Sequence, residues 1–401
     1  MSIPVQTHVI NGESAAPVSD QYIDLINPST GEMAGHGADG DAADVDIAVA
    51  AAKQAYTAWK ETSTSARAAI ISRMGLVLGA NLEELVALEA SCTGLSAARL
   101  MSFDIPGVMQ FFQTFAENLE DYAFVEYPPV RTLPEAYDVK VVKQPLGVCG
   151  LIPAWNGPLF LSFVKALPAI AAGNTVVIKP AETASLAVVR AVELLQDVVP
   201  PGVINVVTGY GHTAGAALAS HPDVAKISFT GSGRTGSLIQ KMAADTTKRV
   251  TLELGGKGPG IALPDAPVEL TARGATVAFL LGSGQICVSG TRLFLHDSIH
   301  DEVVARMVEL AGALRGGSPF DPQTTLAPMA YKAHYERVLG YMEQGQSDGA
   351  TLACGGTKQS GYGREINIAS MDCYLETQNH LTSFEIDPTA KPIFGLVHRD
   401  V

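Results

Sequence analysis

The sequence predicts an α/β protein built on a doubly wound parallel sheet, followed by a second, smaller α/β unit. Between residues 146 and 254, short apolar stretches alternate regularly with helical stretches. Strands that are apolar throughout are typical of parallel strands covered on both faces, and the helices between them supply the crossovers. The chain has 401 residues, enough for two or three domains with a large core.

The first 120 residues are predicted to be mostly helical. Ala-rich stretches with helical periodicity occupy 44–59 and 66–92, after one short strand at 22–26. We expect this part of the chain to pack as a cap on the sheet.

Residues 121–145 differ in character from the regions on either side. Aromatic residues and prolines precede an alternating stretch at 137–142. Such a stretch is typical of an exposed β ribbon that can pair with another chain, so we expect a subunit contact here.

The large sheet is expected to contain five strands. The predicted strands are 147–152, 175–178, 203–207, 226–230 and 249–254, and the predicted helices are 159–172, 185–197, 212–220 and 234–245. Ligands of such sheets bind at the carboxyl ends of the strands. Beyond the sheet we predict a strand at 292–295, a helix at 301–315, turns at 316–322 and a helix at 328–345.

The composition excludes several classes of protein. Hydrophobic residues make up 47% of the chain and charged residues 17%, which favours a well-packed globular protein over a disordered one. The net charge is −14, whereas nucleic acids and anionic membranes attract concentrated Lys and Arg. We therefore expect neither as a partner.

The cysteines predict neither a disulfide framework nor a metal site. They are odd in number, scattered and never spaced as Cys-x-x-Cys, at Cys92, Cys149, Cys287, Cys354 and Cys373. The N-terminus lacks the charged flank and apolar core of a signal peptide, and no apolar run is long enough to span a bilayer. These features predict a cytoplasmic protein with reduced thiols.

Two short segments carry the residues best suited to covalent chemistry. Glu253 begins the segment Glu-Leu-Gly-Gly-Lys, and Cys287 ends the segment Gly-Gln-Ile-Cys. A carboxylate can act as a general base and a thiol as a nucleophile, which together suit attack on a carbonyl. The alternatives are a surface glutamate at a turn and a small buried cysteine.

Polar residues follow the first two strands of the predicted sheet. Asn156 lies after the first strand, where its amide can donate a hydrogen bond to a developing oxyanion, although Asn before Gly-Pro is also a common turn residue. Lys179 and Glu182 follow the second strand. They can bind the hydroxyls of a ribose, or they can form a solvated ion pair.

A glycine-rich segment follows the fourth strand. Gly231, Gly233 and Gly236 fit the pattern Gly-x-Gly-x-x-Gly between a strand and a helix, where backbone N–H groups can face a phosphate. Glu253 lies about 20 residues further on, where a dinucleotide fold has its ribose-binding acid. Catalysis and ribose binding are thus both open roles for Glu253.

Taken in order, five motifs of this chain resemble those of the aldehyde dehydrogenase superfamily. They are Pro-Ala-Trp-Asn-Gly-Pro, Lys-Pro-Ala-Glu, Phe-Thr-Gly-Ser, Glu-Leu-Gly-Gly-Lys and Gly-Gln-Ile-Cys. The resemblance runs from about residue 10 to 356 and again from 357 to about 385. It implies an aldehyde dehydrogenase-like fold with a cofactor domain, a catalytic domain and a small β oligomerisation ribbon.

The resemblance also implies roles for individual residues. Cys287 would attack the aldehyde, Asn156 would hold the oxyanion, and Glu253 would activate water to hydrolyse a thioester. Lys179 and Glu182 would bind the adenosine ribose of NAD, with NADP also possible because the preference of Glu182 need not be absolute. The remaining implied cofactor contacts are Ile152, Pro153, Ala154, Trp155, Gly211, Phe229, Thr230, Gly231, Ser232 and Leu254.

One departure from the family pattern lies at Gly355-Gly356. The segments on the two sides of this dipeptide match parts of the family that are normally far apart, each with its own Gly-Gly pair. A stretch amounting to roughly a fifth of a full-length member is thus expected to be missing. It would include the Glu-x-Phe-Gly-Pro motif that binds the nicotinamide ribose, so we expect uncovered sheet edges and apolar surface in the catalytic domain.

The implied domain organisation follows these segments. Residues 1–120 and 146–254 would form the NAD-binding domain, 255–362 the truncated catalytic domain, 121–145 with 366–385 the oligomerisation ribbon, and 386–401 a tail.

The resulting hypothesis is an enzyme that oxidises a small-molecule aldehyde to a carboxylic acid with NAD(P), as a homodimer or homotetramer. The hypothesis includes a reduced activity, caused by the loss of the missing segment. The alternative is a non-catalytic, cofactor-binding or structural remnant of such an enzyme. Glu253 speaks against a variant that transfers the acyl group to coenzyme A, which would lack this base. The sequence does not name the aldehyde.

Overall fold

The computed structural model describes residues 4–127, 137–347, 361–362 and 375–383. The strands in these residues are β1 (Val5–Gln6), β2 (His8–Ile10), β3 (Glu13–Ala15), β4 (Tyr22–Ile26), β5 (Met33–Ala38), β6 (Val125–Glu126), β7 (Tyr137–Pro145), β8 (Val148–Ile152), β9 (Thr175–Ile178), β10 (Ile204–Val206), β11 (Val224–Gly231), β12 (Arg249–Leu254), β13 (Pro259–Ala262), β14 (Arg292–Leu295), β15 (Gly361–Tyr362) and β16 (Leu375–Ser383).

The helices in the same residues are α1 (Ala42–Trp59), α2 (Thr64–Ala80), α3 (Leu82–Thr93), α4 (Ala97–Arg99), α5 (Ile105–Asn118), α6 (Pro158–Ala171), α7 (Leu186–Leu194), α8 (Ala216–Ser220), α9 (Gly233–Ala244), α10 (Val268–Leu280), α11 (Asp297–Gly312) and α12 (Lys332–Ser347). π-Helical segments lie at Leu100–Asp104 and Gly211–Gly215, and a 3-10 turn lies at Leu281–Gly284.

The doubly wound sheet predicted from the sequence is confirmed. In the part of the chain that the structure describes, eight strands form one sheet in the order β15-β12-β11-β8-β9-β10-β2-β3. The five central strands from β12 to β10 are parallel, and β15 and β2 pair antiparallel at the two sides. The chain order reverses between β8 and β11, so a ligand crevice is expected at the carboxyl ends of these two strands.

Both faces of the sheet are covered, which explains why its strands are apolar throughout. On β8, Cys149 and Leu151 face a core shared with α2, α3, α5, α6 and α7. Val148 and Ile152 face the other core, shared with α1, α8 and α9. Each fully buried large apolar side chain, such as Phe163, contributes about 1.5–3 kcal/mol to the free energy of unfolding.

The expectation of a mostly helical N-terminal region was wrong for part of that region. The structure places five strands before α1, and β2 and β3 extend the large sheet while β1, β5 and β4 form a separate sheet. Strand β5 contains two glycines and a histidine in six residues, so it lacks the alternating pattern that marks a strand. Pairing with β1 and β4, which the local sequence does not encode, makes it a strand.

The predicted helical stretch 66–92 is two helices. Asn81 lies between α2 and α3 in a non-helical conformation, and its Nδ2 donates to the carbonyl oxygen of Val77 at 2.8 Å. An Asn side chain that bonds to the backbone in this way competes with the helix.

The second α/β unit is small in the described residues. Strands β13 and β14 form a two-stranded parallel sheet, with α10 and α11 packed against Ala262 and Leu295 on one face. On the other face Ile261 is 72% exposed, and its strand partner Phe294 is 54% exposed. Because parallel strands are normally covered on both faces, the expected apolar surface in this unit is confirmed for these residues. The junction at Gly355-Gly356 lies outside the described residues.

Within its described residues, the segment predicted as a β ribbon forms β6 and β7. Strand β7 pairs antiparallel with both β6 and β16. Strands β7 and β16 stay in register over nine residues, from the pair Pro145 and Leu375 to the pair Tyr137 and Ser383.

No helix in the described ranges is long and apolar enough to cross a membrane. Within the same ranges, the His, Cys, Asp and Glu side chains form no group of three or more that could hold a metal ion.

Candidate active site

The residues predicted for the site lie around one cavity of about 680 Å³ at the carboxyl ends of β8, β9, β11 and β12. The cavity is lined by Ile152, Pro153, Ala154, Trp155, Asn156, Lys179, Glu182, Gly211, Phe229, Thr230, Gly231, Ser232, Glu253 and Cys287. Of the predicted residues, Leu254 does not line it. The Leu254 side chain points into the core, where a Cβ on Gly236 would lie 2.9 Å from it.

The Cys287 thiol is half-buried on the cavity wall. Burial raises the pKa of this thiol, and the charge of Glu253 raises it further. The backbone N–H groups of Cys287 and Val288 and the charge of Lys165 oppose the shift. The thiol is therefore largely protonated at neutral pH in this structure, and it needs a base before it can attack a carbonyl.

Glu253 is placed near the end of β12 by strand pairing on both sides. Its neighbours are Thr230 on β11 and Gly361 on β15. The side chain is half-buried, lines the cavity and interacts electrostatically with Cys287. A carboxylate in this place can accept a proton from the thiol or from a water molecule beside it.

Asn156 is tied directly to the nucleophile loop. Its Nδ2 donates to the carbonyl oxygen of Gln285 at 2.7 Å, and its Oδ1 is buried without a hydrogen-bond partner. An amide NH2 carries two hydrogens, so one remains available to an oxyanion in the cavity.

The nucleophile loop depends on left-handed backbone turns and on Gln285. Gly282, Ser283 and Gly284 have φ angles of 60°, 57° and 77°, a region that favours glycine. The Gln285 Nε2 donates to the carbonyl oxygen of Pro328 at 3.0 Å, and its Oε1 accepts from the N–H of Ala330 at 3.0 Å. The glutamine of Gly-Gln-Ile-Cys thus fixes the loop to the segment before α12.

Lys179 and Glu182 form an ion pair rather than two solvated charges. The Lys179 Nζ lies 3.1 Å from the Glu182 Oε2, and the lysine side chain is only 2% exposed. Burial lowers the pKa of Lys179, and Glu182 opposes this shift. Glu182 remains partly exposed at the cavity, so it can accept hydrogen bonds from a ligand.

The glycine-rich segment joins β11 to α9 as the pattern predicts. Ser232 caps α9, with its Oγ accepting the N–H of Thr235 at 3.2 Å. A Cβ on Gly231 would lie 2.4 Å from the ring of Phe229, so the backbone here leaves no room for a side chain. Thr230 lines the cavity, and its Oγ1 is buried without a hydrogen-bond partner.

One wall of the cavity consists of residues that were not predicted from the sequence. Met329, Tyr331, His334, Arg337 and Val338 line it from α12 and from the segment before this helix. The sequence predicted the helix itself. The position of the helix in space depends on the hydrogen bonds of Gln285, which the sequence does not reveal.

An aromatic cluster forms much of this wall. Trp155 contacts Tyr331 edge to face, with 5.6 Å between ring centroids, and His334 at 4.9 Å. Burial and the charge of Arg337 lower the pKa of His334, whose Nδ1 is buried without a hydrogen-bond partner. The neutral imidazole can therefore bond to a polar ligand group in the cavity.

The aldehyde dehydrogenase family model matches residues 15–375, which is most of the chain. The chain belongs to the aldehyde dehydrogenase family.

Relatives within this family cover most of the chain. It is 36% identical over 380 residues to a chloroplastic betaine aldehyde dehydrogenase of Beta vulgaris, a match that covers 92% of this chain and 76% of that protein. It is 37% identical over 357 residues to aldehyde dehydrogenase, cytosolic 1, of Mus musculus, which covers 86% of this chain and 70% of that protein.

Solved aldehyde dehydrogenase structures superpose closely on the chain. An NAD+ complex of the Bacillus cereus enzyme matches with a TM-score of 0.90 and 28% identity, covering 95% of this chain and 97% of that one. A mutant of aldehyde dehydrogenase C from Pseudomonas syringae, complexed with NAD+ and octanal, matches with a TM-score of 0.88 and 30% identity, covering 94% and 96%.

Proposed function

We propose that this aldehyde dehydrogenase oxidises a small-molecule aldehyde to a carboxylic acid with NAD+, and that Cys287, Glu253 and Asn156 carry the reaction. The observation that supports these roles most directly is that all three residues line one cavity together with Lys179 and Glu182. A nucleophile, a base, an oxyanion donor and a site for a ribose are thus in one place.

The fit of a dinucleotide is supported by features of the chain itself. The Glu182 carboxylate can accept hydrogen bonds from the hydroxyls of a ribose. Thr230 and Ser232 line the cavity beside the crowded backbone at Gly231, which gives a polar surface at the start of α9. A 2′-phosphate would meet the Glu182 carboxylate, so NAD is proposed as the preferred cofactor over NADP.

The proposed chemistry begins at Cys287. Its Sγ, after loss of the proton, attacks the aldehyde carbon to give a thiohemiacetal. The resulting oxyanion accepts hydrogen bonds from the Asn156 Nδ2 and from the Cys287 backbone N–H. Bound beside Glu182 and Lys179, NAD+ would supply the acceptor for a hydride from the same carbon, which would leave a thioester on Cys287.

Glu253 completes the reaction. Its carboxylate accepts a proton from a water molecule, whose oxygen attacks the thioester carbon. The carbon–sulfur bond breaks, the carboxylic acid leaves, and the Cys287 thiol is regenerated. A role as a non-catalytic remnant is not favoured, because the nucleophile and the base face the same cavity.

Impaired turnover is part of the proposal. The matches to curated relatives cover 70–76% of those proteins in the cases given above. The motifs on the two sides of Gly355-Gly356 are the observation that motivates a proposed missing stretch at this dipeptide. Loss of the Glu-x-Phe-Gly-Pro motif would leave the nicotinamide ribose with fewer contacts. We expect NAD to bind while hydride transfer is slower than in full-length members.

The proposal extends to domain organisation, assembly and location. We propose four divisions of the chain. Residues 1–120 and 146–254 form the NAD-binding domain, and residues 255–362 form the truncated catalytic domain. Residues 121–145 and 366–385 form the oligomerisation ribbon, and residues 386–401 form a tail. The ribbon of β6, β7 and β16 supports a homodimer or homotetramer, which light scattering during gel filtration can measure. Cys92, Cys149 and Cys287 carry free thiols, in keeping with a reducing cytoplasm.

NADH formation with a panel of aliphatic and aromatic aldehydes tests the activity. We expect slow turnover that is abolished in Cys287→Ala. In Glu253→Gln we expect no more than one NADH per chain, formed slowly because the thiol must lose its proton to water, and no further turnover because the thioester is not hydrolysed. A thermal shift with NAD should persist in both variants. Undiminished turnover in Cys287→Ala would refute the assignment of the nucleophile, and ordinary enzyme rates in the unaltered protein would refute the impairment.

A further inference from the structure

Behind Asn156 lies a buried cluster of three titratable side chains that the proposed reaction does not use. It consists of Glu89 on α3, Arg99 at the end of α4, and Asp104 at the end of the π-helical segment. The Arg99 Nε lies 3.3 Å from the Asp104 Oδ2, and the two side chains are 13% and 8% exposed. Burying a charge pair this deeply costs free energy of desolvation. We therefore expect the Arg99–Asp104 pair to have a role that offsets this cost.

The π-helical segment Leu100–Asp104 brings the pair together. The N–H of Ile105 donates to the carbonyl oxygen of Leu100, five residues earlier, where an α-helix would bond four residues back. Arg99 and Asp104 are likewise five residues apart. The wider turn allows them to meet on one side, and such segments often occur at functional sites.

Arg99 reaches the nucleophile loop. A Cβ on Gly282 would lie 2.6 Å from the Arg99 Nη1, so the guanidinium rests against the backbone of the left-handed turn before Cys287. The Asp104 Oδ1 lies 3.6 Å from the corresponding position on Gly157, next to Asn156. The ion pair therefore bridges the loop of the nucleophile and the loop of the oxyanion donor.

Residues of the two loops, together with Arg99, line a small second cavity. Its volume is about 10 Å³, enough for a single water molecule, and its lining includes Arg99, Asn156, Gly282 and Gln285. The Arg99 Nη1 is a buried donor without a hydrogen-bond partner, and the Asn156 Oδ1 is a buried acceptor without one. A water molecule here can accept from the guanidinium and donate to the amide oxygen.

We propose that Arg99 is a positioning residue for the oxyanion site and acts on Asn156 through a water molecule held in this small cavity. A hydrogen bond to the Oδ1 fixes the orientation of the Asn156 amide. The positive charge behind that water draws electron density toward the Oδ1 and makes the Nδ2–H a stronger donor to the oxyanion. Asp104 holds the guanidinium in place. The inference rests on the proposed role of Asn156.

Two reactions of Cys287 separate this role from a general effect on the fold. Acylation by p-nitrophenyl acetate passes through an oxyanion: the thiolate adds to the carbonyl carbon, p-nitrophenolate leaves, and an acetyl thioester forms. Alkylation by iodoacetamide displaces iodide at carbon and forms no oxyanion. The ratio of the two rates thus measures oxyanion stabilisation without NAD or hydride transfer. Arg99 acts on the oxyanion site in this proposal and alkylation forms no oxyanion, so alkylation should not respond to the loss of Arg99.

We expect Arg99→Met to lower the acylation rate roughly threefold to thirtyfold, less than the 10²–10³ lost with a direct oxyanion donor. Its alkylation rate should match that of the unaltered protein. Asn156→Ala should lower acylation more. The acylation rate of the Arg99→Met/Asn156→Ala double variant should be no lower than that of Asn156→Ala alone, because Arg99 acts through Asn156.

Arg67→Met is the matched control, since Arg67 is another buried guanidinium but lines neither cavity. It should lower the melting temperature and leave the rate ratio unchanged. If Arg99→Met fails to fold, Asp104→Asn, which releases the guanidinium, should lower the ratio in the same direction.

An unchanged ratio in Arg99→Met, or an additive loss in the double variant, would overturn the proposal. So would a crystal structure without a water molecule between the Arg99 Nη1 and the Asn156 Oδ1. Acylation that persists in Cys287→Ala would instead refute the proposed nucleophile, which keeps the two failures distinguishable.

Discussion

Glu89 shows how a single buried carboxyl group can support the site without touching the main cavity. Its Oε2 accepts the backbone N–H of Leu159 at 3.3 Å, at the start of α6 just beyond Asn156. Burial raises the pKa of Glu89 to about 8, and the charge of Asp104 adds to the shift. Glu89 is therefore mostly protonated at neutral pH, which limits the buried negative charge beside Arg99 and Asp104.

The raised pKa predicts that the protein loses stability as the pH rises. The folded state keeps the Glu89 proton up to about pH 8, whereas the unfolded chain releases it near the ordinary value of 4.5. The contribution to stability is therefore complete below pH 4.5 and is lost between pH 4.5 and 8. Glu89→Gln, which cannot ionise, should gain up to a few kcal/mol relative to the unaltered protein over this window.

Urea denaturation of both proteins at pH 5 and pH 8 measures this difference. Glu83→Gln is the control, because Glu83 is exposed on the same helix and should leave the pH dependence unchanged. Parallel pH dependences for Glu89→Gln and the unaltered protein would contradict the prediction.

At the scale of elements, the nucleophile loop is held by contacts between chain segments that are far apart in sequence. Gly94 ends α3 in the left-handed conformation with a φ of 73°. A Cβ on it would lie 2.5 Å from the Cγ of Pro328, whose carbonyl oxygen accepts the hydrogen bond from Gln285. The end of α3 therefore sets the place of the segment that anchors the Cys287 loop.

Gly94→Ala and Gly274→Ala should have opposite effects on stability. Gly94→Ala adds strain at positive φ and a clash with a rigid proline ring, so it should lower the free energy of unfolding by about 2 kcal/mol and slow the acylation of Cys287. Gly274 is exposed inside α10 with no heavy atom within 4 Å of a Cβ position, so Gly274→Ala should raise the free energy by about 0.5–1 kcal/mol.

Urea denaturation and the acylation rate measure both changes. Equal stability and equal reactivity at Cys287 in the two variants would contradict this role of Gly94.

Elements with a clear local sequence pattern could be predicted, whereas elements that depend on contacts with distant segments could not. Strands β9, β12 and β14 begin and end where the sequence predicts. For β9 the reason is that a strand buried on both faces needs apolar side chains throughout. Strand β13 and helix α10 were not predicted. Strand β13 has the sequence Pro-Gly-Ile-Ala, with no clear period, and becomes a strand through pairing with β14.

At the scale of the whole molecule, a large, well-covered unit is joined to a small unit with an exposed apolar face. Among the described residues, the two cores on the faces of the large sheet contain many buried side chains, whereas the core beneath β13 and β14 contains four. Ile261 and Phe294 lie side by side on the outer face of β13 and β14. Such a patch attracts apolar dyes and other chains.

Replacing both residues with threonine should reduce dye binding. In Ile261→Thr/Phe294→Thr we expect lower fluorescence of anilinonaphthalene sulfonate and less aggregation on concentration, with little change in melting temperature, because threonine suits strands and both side chains are exposed. Leu76→Thr is the control, since Leu76 is also 72% exposed but lies on α2 in the large unit. Equal dye fluorescence in the two variants would contradict this assignment of the patch.

The sequence by itself determined the parallel sheet, the family and the cavity residues that adjoin its strands. Apolar strand stretches and short motifs such as Glu-Leu-Gly-Gly-Lys are local signals, and a parallel sheet gathers its strand ends at one edge whatever the details of packing. Asn156, Lys179, Glu182 and Glu253 could therefore be placed together before any contact was known.

Only the tertiary structure decided what surrounds those residues. Arg99 reaches Gly282, Glu89 reaches Leu159, and His334 closes the cavity beside Trp155, although each pair is distant in sequence. No local pattern encodes such contacts, because they depend on how helices pack on the finished sheet. Burial then shifts the pKa values of Glu89 and Cys287, so the chemistry of these groups is also a property of the folded chain.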